Sequence, residues 1–104
     1  MPTTVTVEAP ARLDGVNSGE FAALVQNLVK AGARHLILDL SSLQYLSSAG
    51  VRALLLIHQA LNQTQGKLAL LSCRPAVVEV LRICGLENLA PQANSIEAAR
   101  QWVQ

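Results

Sequence analysis

The chain has 104 residues, 51% of them hydrophobic and 3% aromatic, with a formal net charge of +1. That length makes one small domain, residues 1–104, whose single core is built from Leu, Val, Ile and Ala. Scattered charges near neutrality give no electrostatic footprint for nucleic acid or an anionic membrane, and no apolar run approaches the ~18 residues of a membrane span.

The start, MPTTVTVEAP, lacks a basic n-region and a long apolar h-region, so it does not read as a signal peptide. Thr4, Thr6 and Glu8 alternate with Val5 and Val7, which predicts a half-buried strand over Thr3 to Glu8 that Pro10 ends. Ala11 to Asn17 is a connection with turn chemistry at Asp14-Gly15. Asn17 or Ser18 caps the next helix, with Glu20 in its first turn. Phe21, Leu24, Val25, Leu28 and Val29 form its apolar stripe, and Gly32 stops it. Residues 35–40 carry a nearly continuous apolar run, as in a central strand covered on both faces.

A second helix begins at Ser48 or Ala49. Its core stripe is Val51, Leu54, Leu55, His58 and Leu61, and Gly66 ends it. Lys67 to Ser72 is a third strand. Pro75 opens a third helix with Val77, Val78, Leu81 and Cys84 on its inner face, and Gly85 caps it. Leu86 to Ala90 reads as a short extended piece. Ser95 then opens a last helix on which Ile96, Ala99, Trp102 and Val103 face the core, with Trp102 as its anchor. Cys73 and Cys84 have no CxxC or Cys/His spacing. They read as buried reduced thiols of a cytoplasmic protein, with no metal site.

The junction at Ser47-Ser48-Ala49-Gly50 stands out. A serine at a helix start caps free amides of the first turn. The same place welcomes an added anion, because the amides point outward and the helix dipole is positive there. The junction therefore reads as a phosphorylation switch. Nothing reads as catalytic: there is no G-x-S-x-G elbow, no His placed beside an acid, no phosphate-cradling loop and no cofactor motif.

Several ordered pieces resemble the STAS domain family, and in particular its stand-alone bacterial anti-sigma factor antagonists. They are Arg12-Leu13-Asp14, Leu38-Asp39-Leu40-Ser41, Tyr45-Leu46-Ser47-Ser48-Ala49-Gly50-Val51-Arg52, Gly66-Lys67-Leu68-Ala69-Leu70, Pro75-Ala76-Val77 and Cys84-Gly85-Leu86. The resemblance implies an α/β fold with a four- to five-stranded mixed, largely parallel sheet and about four helices. It implies phosphorylation at the serine two before the motif glycine, Ser48, with Ser47 as the alternative acceptor. It implies a partner-binding surface of Asp14, Ser47, Ser48, Ala49, Gly50 and Arg52. The implied partners are an anti-sigma factor that is a GHKL-type serine kinase, and a PP2C-type phosphatase. No cofactor, nucleic acid or membrane span is implied, and the protein is expected as a monomer or weak dimer. Two other readings stand beside this one. The first is a STAS subunit of a lipid-transport ABC system or a stress-signalling scaffold, without a phosphorylation cycle. The second is a module that self-associates through an open N-terminal sheet edge.

Overall fold

The computed structural model describes residues 3–104. Met1 and Pro2, which begin the segment read as lacking a signal peptide, lie outside the described residues. Four strands form the main sheet: β1 (Thr3–Glu8), β3 (Ala33–Asp39), β5 (Lys67–Leu71) and β6 (Gln92–Ala93). They lie in the order β1-β3-β5-β6 and are parallel throughout, so the mixed character expected of the sheet is absent among the described residues. Parallel neighbours need long crossovers, and these run through α1 (Ser18–Lys30), α2 (Ser48–Gln63) and α3 (Pro75–Ile83). A last helix, α4 (Ile96–Val103), follows β6.

The apolar run of β3 is explained by its central place. Leu36 and Leu38 face one side of the sheet and Ile37 the other, and all three are fully buried. On the first side they meet Val25 and Val29 of α1, Leu54, Ile57 and Leu61 of α2, and Val77 and Leu81 of α3. On the second side Ile37, Ala69, Leu71 and Ala93 meet Ala99 and Val103 of α4, with partly buried Ile96 and Ala98 packed against them. Three helices thus cover one face and one helix covers part of the other. The side chains of Thr4, Thr6 and Glu8 stay exposed, as the alternation in β1 predicts.

Several sequence expectations are corrected. The connection after β1 contains a two-residue strand, β2 (Arg12–Leu13), which pairs in parallel with β4 (Tyr45–Leu46) as a separate small sheet. Leu86 to Ala90 is not extended. A turn closes there, with the Leu89 N–H on the Leu86 carbonyl, and the strand comes later at Gln92–Ala93. Trp102 is no core anchor: α4 buries Ala99 and Val103 one turn apart, and the indole lies on its flank, 58% exposed. Leu24 is likewise 52% exposed rather than on the buried stripe of α1. Leu55 and His58 are only half-buried, while Ala53 and Ile57 take the inner face of α2. Cys84 is exposed, and Cys73 is half-buried with burial pushing its thiol up to about 11.

Candidate partner-docking site

The small β2–β4 sheet builds the site. Leu13 and Leu46 turn inward and join the main core, which fixes the 12–17 connection against the start of α2. The Leu13 carbonyl accepts the Ser47 N–H at 3.0 Å. Ser47 sits in extended conformation as the N-cap of α2, and its hydroxyl accepts the Gly50 N–H at 3.3 Å. The same hydroxyl donates to the Leu13 carbonyl at 3.3 Å. Ser47 is thus half-buried and occupied on both sides. Ser48 is the first residue of α2, is exposed, and makes no side-chain hydrogen bond among the described residues. Of two adjacent serines, one builds the helix end and the other is displayed on it.

Asp14 organises the loop beside them. Its carboxylate accepts the Val16 N–H at 2.9 Å and the Arg12 Nε at 3.2 Å. Asn17 does not cap α1 with its side chain. Instead its amide accepts the Asp14 N–H at 3.0 Å and donates to the Arg12 carbonyl at 2.7 Å, clamping the loop. The Arg12 guanidinium also lies 4.8 Å from the centre of the Tyr45 ring. Arg52, one turn into α2, is exposed beside a shallow depression formed with Ser18, Gly19, Ala49 and Leu56. Gly50 is buried where α2 meets β2.

All six residues picked from the sequence therefore gather at one end of the molecule. Their roles divide: Ser47 and Gly50 face inward, while Ser48, Arg52 and the edges of Asp14 and Ala49 face out. Sequence reasoning did not single out Val16, which is 90% exposed, or Tyr45, which is 49% exposed. An apolar residue in a loop and a lone tyrosine carry no periodic signal; only their exposure marks them. The Asp39 carboxylate accepts the Ser41 N–H at 2.9 Å in the turn after β3. No group of three or more His, Cys, Asp or Glu side chains suited to a metal occurs among the described residues.

Two consequences are measurable. Ser47→Ala removes the cap of α2 and the hydroxyl tie to Leu13, and should cost about 1 kcal/mol. For a domain of this size the melting temperature then falls by roughly 4–8 °C. An unchanged melt by circular dichroism would show that the cap contributes nothing. Asp14 concerns pH. The Val16 amide holds its carboxyl below the ordinary 3.8, with Arg12 and Asn17 acting the same way and partial burial opposing. A depressed folded-state value means that the loop order is present above 3.8 and is lost as pH falls through the lower folded value. The Val16 amide resonance should therefore titrate with a midpoint under 3.8, and a midpoint at or above it refutes the bond.

A parallel α/β domain thus displays a capped helix end and an ordered loop side by side. The chain belongs to the STAS domain family, whose sequence profile matches residues 2–99. It is 41% identical over 87 residues to the protein named "Putative anti-sigma factor antagonist BtrV" from Bordetella bronchiseptica, a match spanning 84% of this chain and 75% of that one. Among solved structures it resembles a Thermotoga maritima protein titled a putative anti-sigma factor antagonist, with TM-score 0.87 and 22% identity over 96% of this chain and 86% of that one. It also resembles the anti-sigma factor antagonist SpoIIAA in unphosphorylated form, with TM-score 0.82 and 24% identity over 97% and 89% of the two chains. The phosphorylated form of SpoIIAA from Bacillus matches with TM-score 0.72 and 22% identity over 94% and 89%. These structural likenesses establish the fold: α/β, with four helices around a four-stranded sheet, as the sequence implied.

Proposed function

We propose that this chain is an anti-sigma factor antagonist. It is a non-catalytic, cytoplasmic docking module that binds an anti-sigma factor through the Ser48 end of α2 and the 12–17 loop. Phosphorylation of Ser48 by that partner, a serine kinase of the GHKL type, breaks the complex, and a PP2C-type phosphatase restores it. Asp14, Ala49 and Arg52 complete the docking surface, and Ser47 and Gly50 hold it in shape. The observation that carries this reading is the division of labour between the serines. Ser47 supplies the cap, which leaves the Ser48 hydroxyl free at a helix start. The 41% identity to the Bordetella relative supports the partner class.

The first test is intact-mass spectrometry of protein isolated from its own cells, with peptide mapping across Leu46 to Arg52. A fraction carrying one phosphate on Ser48 is expected. Phosphate on Ser47 alone would move the site, and no phosphate under any growth condition would remove the cycle from the proposal.

A further inference from the structure

The two edges of the main sheet differ in kind. β6 is two residues long and lies beside α4. β1 is six residues long, and nothing pairs with its outer side among the described residues. The Ala9 N–H donates inward to the Asp39 carbonyl at 2.9 Å. Backbone groups alternate along a strand, so those of Val5 and Val7 also point inward, and those of Thr4, Thr6 and Glu8 point out. Thr3 to Val7 are all β-branched and uncharged. Proteins usually blunt such an edge with Lys, Pro, a bulge or a cover. Here the one irregularity is a register shift at the very start, between Thr3 and Thr4. Above the edge, half-exposed Leu24 and partly buried Phe21 line a shallow groove with Glu20 of α1 and with Glu8, Ala9 and Pro10 at the end of β1.

We propose that this edge docks a second copy of the same chain, antiparallel, about a twofold axis at Thr6. Two identical strands in a closed, isologous contact must run antiparallel. With Thr6 opposite Thr6, Thr4 of each copy faces Glu8 of the other, and every outward N–H and carbonyl from Thr4 to Glu8 finds a partner. Val5 then lies beside Val7 of the second copy on the helix side, so the two cores join and the α1 shoulders meet. No carboxylate opposes a carboxylate in this register. The second copy supplies by symmetry a matching strand whose one charged residue, Glu8, falls at the two ends of the pairing opposite Thr4, and a matching Leu24–Phe21 shoulder.

Sedimentation velocity from micromolar to millimolar protein tests the proposal. The mass should rise with concentration from 11.1 kDa toward twice that. In hydrogen exchange, the Thr4, Thr6 and Glu8 amides should gain protection as it does. Thr6→Pro deletes an outward N–H and spares the β1–β3 ladder, so it should stay at the lower mass with an unchanged melt. Thr6→Lys places a charge on the edge and should do the same, and it serves if the proline variant fails to fold. A wild-type mass constant to millimolar overturns the proposal and leaves the edge to another chain. A dimer that persists in either folded variant overturns it by placing the contact elsewhere.

Discussion

Ser48→Asp is expected to weaken binding to the anti-sigma partner by about three orders of magnitude while leaving the melting temperature near wild type. The two halves of this outcome have separate causes. Position 48 is the first residue of α2, and α2 has no acidic residue in its first turn. A carboxylate there meets the positive end of the helix dipole and gains ~0.3–1 kcal/mol. Ser47 keeps the cap, so no hydrogen bond of the fold is lost. The partner surface receives the same charge without that compensation. Against a carboxylate ~4 Å away at an effective dielectric near 20, repulsion is ~4 kcal/mol, nearly a thousandfold in affinity. Against an apolar patch, the desolvation of an unpaired carboxylate acts in the same direction. Phosphoserine carries more charge and three acceptor oxygens, so it should exceed the aspartate. Titration calorimetry with the purified partner reads the first half and a thermal melt the second. Ser48→Ala should bind like wild type. If Ser48→Asp also binds like wild type, residue 48 is outside the interface; if it unfolds, the helix end does not tolerate an anion.

Much of this arrangement was legible in the sequence because burial there is periodic. β1 alternates because one of its faces is solvated, and β3 runs continuously apolar because helices cover both of its faces. Ser95 was read as the opening of α4, and its hydroxyl does accept the Ala98 N–H. The features that were missed depend on contacts that no periodicity announces, most of them between distant parts of the chain. A two-residue strand has no period, and β2 exists because Arg12 and Leu13 meet Tyr45 and Leu46. Asn17 is a good cap by residue type, yet a nearer use for its amide exists once the Arg12 carbonyl and the Asp14 N–H converge on it. The choice between Ser47 and Ser48 has the same origin. Both are natural caps, and only the Leu13 carbonyl, brought in by β2, ties down Ser47. Trp102 failed as a core residue because α4 covers too narrow a strip of sheet to bury its flank.

Gly50→Ala should lower the melting temperature by roughly 10–20 °C, although it places the best helix former inside a helix. Propensity alone favours alanine by ~0.8–1 kcal/mol. Space decides against it. A Cβ on residue 50 would lie 2.4 Å from the Leu13 carbonyl oxygen, 2.7 Å from Leu46 Cδ1 and 2.9 Å from Leu13 Cβ. The Leu13 oxygen is backbone, held by the Ser47 N–H and hydroxyl, and the Leu13 side chain is fully buried, so neither yields cheaply. Relief requires α2 to back away from β2. That costs ~1–3 kcal/mol of packing, and more as the Leu13–Ser47 bonds lengthen. A net loss of about 2–4 kcal/mol takes a large part of the stability of a small domain. The same shift pulls the 12–17 loop from Ser48, so partner binding should fall as well. Gly19→Ala in α1 is the matched comparison: nothing lies within 4 Å of its Cβ, so the propensity gain should appear unopposed as a small rise in melting temperature. A Gly50→Ala protein as stable as wild type, measured beside it, would mean that the contact between α2 and β2 is loose, and with it the geometry that separates the two serines.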